Sequence, residues 1–298
     1  MEKRQEVREI RIDPKKIIAE IIIALVYSAL TALIGIIKDF DIVITVRNCI
    51  ISCALVLTLG HMYRQEYIYE DLQYSNMRHY YRFWVCFAIC GAVSFVLVFV
   101  PPLGWPFLGM FVGLCLFSDS LCACAGGTML LFVTALNAGC DMTVVAAYLI
   151  AGCLAVSLYK HIDETFKVYI PTVLTLVCLS LLLLAVSFIQ LKRTLTFTDV
   201  VIPGINVVVT GLLVIWILRM FSGRVVFCDR DRLLELNDTE NPLLMELKNT
   251  SQRAYYISIH TAYFCERVAM ACGLDSDVLK CAAYYHKLAK DTSFMEEN

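Results

Sequence analysis

The sequence predicts an all-α protein, a polytopic membrane bundle of about eight transmembrane helices followed by a small helical module in the cytoplasm. Of the 298 residues, 59% are hydrophobic and only 17% are charged, whereas a soluble domain carries about 25% charged residues. Apolar stretches long enough to cross a bilayer recur as far as Phe221, and charge rises after it. Disorder is excluded because disordered chains are poor in hydrophobic residues.

Eight apolar stretches are candidates for transmembrane helices, because a span needs about 20 mainly apolar residues. In order, they cover residues 17–37, 44–62, 83–100, 103–117, 121–138, 142–159, 168–191 and 200–221. The fourth and fifth stretches are joined by Ser118-Asp119-Ser120, so they are either two full spans or a re-entrant pair. The prediction divides the chain into a basic N-terminus (1–16), a transmembrane domain (17–221), a linker (222–250) and a C-terminal helical module (251–298).

The orientation follows from lysine and arginine, which favour the cytoplasmic flanks of spans. One set of flanks holds most of them: Lys3, Arg4, Arg8, Arg11, Lys15, Lys16, Arg64, Arg78, Arg82, Lys160, Lys167, Arg219, Arg224, Arg230 and Arg232. The opposite flanks hold only Lys38, Arg47, Lys192 and Arg193. We therefore expect a multi-pass protein of the cell membrane with both termini in the cytoplasm.

Four carboxylates lie within or beside the predicted spans. They are Glu20, Asp119, Asp141 and Asp199. Such groups commonly cap helices or reach the membrane interface, but they also mark ion or substrate pathways. A transporter or channel with a regulatory tail therefore stays an alternative. The net charge of −2 gives no reason to expect a nucleic-acid polymer as partner, whereas the lipid bilayer is an expected one.

The module after the linker shows signals for two helices. Residues 251–272 carry apolar side chains at helical spacing, and Gly273 is a plausible residue to end that helix. Asp275 or Ser276 is suited to cap a second helix that runs to about Lys290.

Three motifs in this region resemble the seven-transmembrane HD family, bacterial membrane phosphohydrolases that cleave cyclic di-AMP. The linker sequence Leu233-Leu-Glu-Leu-Asn-Asp-Thr-Glu-Asn-Pro-Leu-Leu244 is similar to the family's L-L-E-L-S-D-x-N-x-P-L-L. Tyr255-Tyr-Ile-Ser258 resembles Y-x-H-S, and Ala283-Tyr-Tyr-His-Lys-Leu-Ala-Lys290 resembles A-Y-Y-H-D-I-G-K. The resemblance implies a partial HD domain in residues 251–298, because the chain ends at Asn298 before the family's remaining ligands.

The resemblance also implies a degenerate metal site. The family's first histidine ligand would fall at Ile257 and its His-Asp pair at His286 and Lys287. Isoleucine has no donor atom and a charged lysine has no free lone pair, so His286 is the sole surviving ligand and is expected to be vestigial. Manganese or iron is expected only if a neighbour such as His260 rescues the site. No residue is therefore assigned a catalytic role.

The resulting functional prediction is a pseudoenzyme with a signalling or interaction role, whose partner is a cyclic dinucleotide or a cytoplasmic protein. An active, metal-dependent cyclic dinucleotide phosphodiesterase stays an alternative beside the transporter or channel. It would need two metals to clamp the attacking and leaving oxygens of a phosphodiester.

Overall fold

A computed structural model of the protein describes residues 14–69, 80–160, 168–190, 197–223 and 227–287. All regular secondary structure within these ranges is helical. The chain divides after Phe221 into two compact units, which we call the membrane unit and the tail unit. The N-terminal lysines and arginines up to Arg11 and the module's end after Lys287 lie outside the described residues.

The described residues of the membrane unit form eight α-helices, one for each predicted apolar stretch. They are α1 (Pro14–Ile37), α2 (Ile42–Tyr69), α3 (Tyr81–Leu97), α4 (Phe107–Phe117), α5 (Ser120–Ala138), α6 (Met142–Tyr159), α7 (Tyr169–Gln190) and α8 (Phe197–Phe221). Six of them, α1, α2 and α5 to α8, are long and apolar enough to cross a membrane. Helices α3 and α4 are apolar but shorter, with 17 and 11 residues.

Helix α4 begins four residues later than the predicted stretch 103–117. A single turn of 3-10 helix covers Pro102–Gly104, and α4 begins only at Phe107. Prolines at 101, 102 and 106 explain the break, since proline lacks an N–H donor and fixes its own backbone torsion. Eleven residues span about 16 Å, roughly half of a hydrocarbon core of about 30 Å. Ten of the eleven are buried, so α4 lies inside the bundle.

Contacts at both ends of the membrane unit place α3 alongside α1. Near the start of each helix, the Tyr80 hydroxyl lies 2.5 Å from a Glu20 carboxylate oxygen. Beyond the end of each helix, Lys38 Nζ donates to the carbonyl oxygen of Val98 at 3.2 Å. Helix α3 therefore runs between the same two levels of the bundle as the part of α1 that follows Glu20.

The irregular segment 101–106 between α3 and α4 is held by buried side chains. Trp105 is fully buried, and its indole Nε1 donates to the carbonyl oxygen of Leu97 at 2.8 Å. Asn206 of α8 donates through Nδ2 to the carbonyl oxygen of Leu103 at 2.8 Å. Non-helical backbone at membrane depth is tolerated where protein groups satisfy it in this way.

In the part of the tail unit that the structure describes, there are four helices, namely α9 (Phe227–Leu236), α10 (Pro242–Thr250), α11 (Gln252–Cys272) and α12 (Ser276–Tyr285). Gly273 ends α11 with a left-handed φ of 68°, a conformation that glycine adopts without steric cost. The Asp275 side chain caps α12. Helix α12 ends at Tyr285 and a turn covers residues 286–287, whereas the predicted end near Lys290 lies outside the described residues.

Candidate functional site

The linker motif and the Ala-Tyr-Tyr-His motif meet in the core of the tail unit. Leu244 is fully buried and packs in one cluster with Ala262, Ala283 and Tyr284. The next motif residue, Tyr285, donates its hydroxyl to the carbonyl oxygen of Leu236 at 2.9 Å. Residues that carry the family resemblance therefore form the structural framework of this unit.

Two asparagines of the linker motif fix its path. Asn237 Nδ2 donates to the carbonyl oxygen of Asp277 at 3.0 Å, which ties the end of α9 to α12. Asn241 accepts the backbone N–H of Leu243 at 3.0 Å and donates to the carbonyl oxygen of Glu235 at 3.1 Å. The first of these two bonds caps α10, because the opening N–H groups of a helix lack internal partners.

Ile257, the position at which the resemblance implies the first ligand, lies on an exposed side of α11. Its side chain is 42% exposed, whereas the adjacent Ser258 is fully buried. Ala262, which faces α12 in the core cluster, is five residues further on. At about 100° per residue, Ile257 and Ala262 are separated by about 140° around the helix. The alkyl side chain of Ile257 offers a metal ion no donor.

His286 and Lys287 are half-buried in the turn that follows α12. The imidazole Nδ1 of His286 lies 2.6 Å from the carbonyl oxygen of Ala283, a contact that suits an Nδ1–H donor. Only Nε2 would then be left to bind a ligand. His260, the neighbour considered as a substitute ligand, is exposed on α11. Among the described residues, no group of three or more His, Cys, Asp or Glu side chains is placed to hold a metal ion.

Two tyrosines and a cysteine of α12 are held in their protonated forms. Burial raises the pKa of Tyr285 to about 12 and also raises the pKa values of Tyr284 and the Cys281 thiol. At neutral pH these groups are therefore hydrogen-bond donors rather than nucleophiles or bases. Nearby, Lys280 forms an ion pair with Glu266 at 3.1 Å, which links α12 to α11.

Glu20 is the most enclosed carboxylate among the described residues of the membrane unit. It is 2% exposed. Its carboxylate accepts hydrogen bonds from Arg64 Nη2 at 2.5 Å and from the Tyr80 hydroxyl at 2.5 Å. A side chain at Gly60 would come within 3.0 Å of the Glu20 carboxylate, so glycine allows α2 to pass close to it. Glu20 therefore joins three helices through its carboxylate and does not act as a helix cap.

Asp119 caps α5, one of the two roles expected for it. Its carboxylate accepts the backbone N–H of Leu121 and lies 3.3 Å from Lys160 Nζ. Burial alone would raise the pKa of Asp119, but hydrogen bonds from the Ser120 and Leu121 N–H groups and the Lys160 ammonium lower it overall. The carboxylate is consequently ionised at neutral pH.

Glu66 has a role at the same helix start that the sequence analysis missed. Its carboxylate accepts the backbone N–H of Asp119 at 3.2 Å and that of Cys122 at 3.0 Å. A lone glutamate near the end of a long apolar helix was the available signal, but its partners lie more than 50 residues away. Asp141 stands at the N-cap position of α6, and the side chain of Asp199 lies outside the described residues.

Two buried polar pairs in the membrane unit were also missed. Asn48 Nδ2 donates to Asn137 Oδ1 at 3.1 Å, and Ser94 hydrogen-bonds to Thr134. All four side chains are buried. In a bilayer such pairs satisfy groups that would otherwise have no partner, although the Nδ2 of Asn137 finds no partner among the described residues.

No family model matches the chain, and no curated protein or solved structure matches it either.

Proposed function

We propose that the chain is a non-catalytic relative of the HD-type cyclic di-AMP phosphodiesterases and that it acts in signalling from the cell membrane. In this proposal the tail unit is a degenerate HD module that binds a cytoplasmic protein or a cyclic dinucleotide. The observation that carries the proposal is the meeting of the two motifs, in which Leu244 packs against Ala283 and Tyr284. The framework is kept while the residues at the implied ligand positions are changed.

The changed positions argue against metal-dependent hydrolysis on chemical grounds. A binuclear phosphodiesterase needs several imidazole or carboxylate ligands to hold its metals. Ile257 supplies none, and the ammonium of Lys287 would repel a cation. His286 alone, with its Nδ1 directed at the carbonyl of Ala283, is too small a ligand set.

The proposed topology has eight crossings and cytoplasmic termini. The distribution of lysine and arginine supports it, as do the contacts that join α1 and α3 at both ends. The segment 98–117, which includes α4, would then return the chain to the level of Glu20. Labelling of single added cysteines from either side of the membrane tests this orientation.

Hydrolysis of cyclic di-AMP by the purified full chain with added manganese tests the loss of catalysis. The unaltered chain is expected to show no turnover, and turnover would establish the active phosphodiesterase instead. Equilibrium dialysis with cyclic di-AMP and pull-down from a cell lysate test the two proposed partners. A full chain that binds neither would contradict the signalling role.

The variant Ile257→His/Lys287→Asp tests the HD resemblance itself. We expect the purified full chain to retain more manganese or iron than the unaltered protein, measured by elemental mass spectrometry. The control Val268→His/Lys248→Asp adds the same ligand types at two exposed positions of the tail unit. Equal metal retention by the two variants would contradict the placement of the implied ligands.

A further inference from the structure

Helix α11 presents an apolar face that no described residue of the tail unit covers. Six large apolar or aromatic side chains on it are between 42% and 65% exposed: Tyr256, Ile257, Tyr263, Phe264, Val268 and Met270. The opposite side of the same helix is buried through Ser258, Ala262 and Ala269. We call the exposed set the outer face of α11.

A line of basic side chains runs through the outer face. Arg253, His260 and Arg267 are all exposed and are spaced seven residues apart, so they lie about two turns from one another along one line. The Arg267 guanidinium carbon lies 5.5 Å from the ring centroid of Tyr263. The one acidic residue of α11, Glu266, is turned towards α12, where it pairs with Lys280. The outer face is therefore apolar and positively charged.

This combination decides between two kinds of occupant. A second copy of α11 packed antiparallel on the first would set Arg253 against Arg267, and like charges disfavour such pairing. An anionic bilayer surface is complementary to both the apolar and the basic side chains of the outer face. Aromatic and aliphatic side chains enter the headgroup boundary, and arginines contact lipid phosphates. Tyrosine is also enriched at membrane interfaces.

The tail unit is covalently attached to the membrane unit, so a bilayer surface is always available to it. The chain passes from α8, a candidate span, into the tail unit at residue 222. Tethering of this kind converts a weak surface interaction into an intramolecular one with a high effective concentration. A helix that would bind vesicles weakly in isolation can thus bind the bilayer that holds its own chain.

We propose that the outer face of α11 binds the surface of bilayers that contain anionic phospholipids. The inference goes beyond the signalling role proposed above and does not depend on the HD resemblance. It assigns the tail unit a lipid partner in addition to the protein or nucleotide partner proposed above.

Hydrogen exchange on the full chain in nanodiscs tests the proposal. The discs contain phosphatidylcholine alone or an equimolar mixture with phosphatidylglycerol, and exchange is followed by mass spectrometry in peptides from residues 252–272. We expect slower exchange in the anionic discs and loss of the difference at high salt, because ions screen such contacts. Equal exchange in the two kinds of disc would overturn the proposal.

Two variants separate charge from apolar contact. Arg253→Gln/Arg267→Gln is expected to lower the ratio of bound to free α11 in anionic discs about thirtyfold. The control Arg232→Gln/Lys248→Gln removes the same charge from exposed positions elsewhere in the tail unit and is expected to change that ratio far less. Equal losses in the two charge variants would overturn the assignment to α11.

Phe264→Ser/Val268→Ser, which alters exposed side chains only, is also expected to lower the ratio. Protection that persists in this variant would overturn the role of the apolar side chains. Protection that instead increases with the number of chains per disc would identify a second copy as the occupant and would overturn the proposal.

Discussion

The membrane unit and the tail unit use polar side chains in different ways. In the membrane unit they join helices that are far apart in sequence, as in Arg64 with Glu20 and Asn48 with Asn137. In the tail unit they mostly act locally. Asn241, Ser251 and Asp275 each accept N–H groups at the start of the helix that follows them.

The surrounding solvent explains the difference. A bilayer offers no water to an unpaired polar group, so a buried polar side chain in a span must find a protein partner. Water satisfies most polar groups of the tail unit, whose buried apolar cluster centres on Leu244, Ala262, Ala283 and Tyr284. Disrupting a long-range polar pair should therefore lower the stability of the membrane unit more than disrupting one polar contact lowers the stability of the tail unit.

The largest effect is expected from Glu20→Leu. Removing one partner of a buried ion pair leaves the other charge enclosed, at a cost of about 3–5 kcal/mol. Arg64 would lose its carboxylate and the Tyr80 hydroxyl its acceptor. Thermal unfolding of the full chain in detergent measures the effect as a lower midpoint.

The double variant Glu20→Leu/Arg64→Leu is the control for this experiment. It removes both charges, so part of the lost stability should return. A Glu20→Leu chain as stable as the unaltered protein would contradict the contrast between the two units. An ion flux in reconstituted vesicles that disappears in a stable Glu20→Leu chain would support the transporter alternative instead.

A smaller effect is expected from Tyr285→Phe in the tail unit. The variant loses one hydrogen bond, from the Tyr285 hydroxyl to the Leu236 carbonyl oxygen, which is worth about 1 kcal/mol. Hydrogen exchange in peptides of α9 and α12 should become faster, while exchange in the membrane unit should not change. Faster exchange in both units would contradict the confinement of this contact to the tail unit.

The same tyrosine gives a pH dependence with a defined sign. Burial raises the pKa of Tyr285 from the ordinary value of about 10 to about 12. The folded state therefore holds the proton more tightly, so this contribution to stability is complete below pH 10 and is lost as the pH rises through 12. Tyr285→Phe should reduce the alkaline sensitivity of α9 and α12 exchange in this interval.

Local signals in the sequence predicted much of the tail unit. Gly273 ends α11 and Asp275 caps α12 as expected, because both effects act within a few residues of the signal. The resemblance drew attention to Leu244 and Tyr285, but it gave no indication that they meet around Ala283.

Long-range pairing limited the prediction of the membrane unit. Apolar stretches gave the positions of its helices, yet the sequence could not show that Asn206 supports the backbone at Leu103, 103 residues away. The length of α4 was overestimated for the same reason, since a broken segment is tolerated only where distant side chains satisfy it. The partners of Glu20 were hidden in the same way.

The smallest effect is expected from Ser258→Ala. This variant tests whether the buried Ser258 hydroxyl lowers the stability of the tail unit because it has no hydrogen-bond partner. The Ser258 hydroxyl is fully buried, and it finds no hydrogen-bond partner in the part of the chain that the structure describes. Removing it should leave the free energy of unfolding unchanged or raise it by up to about 1 kcal/mol. Chemical unfolding of the full chain, followed by exchange in α11, measures the change.

The matched variant Ala262→Ser places a hydroxyl at a fully buried position one turn further along the same face of α11. It should destabilise the tail unit by about 1–3 kcal/mol, since a buried hydroxyl without a partner loses its hydration. A loss of stability in Ser258→Ala would contradict the contrast between the units, because Ser258 would then have a partner of the long-range kind found in the membrane unit. If Ser258→Ala instead keeps its stability but loses affinity for cyclic di-AMP, the buried hydroxyl serves binding.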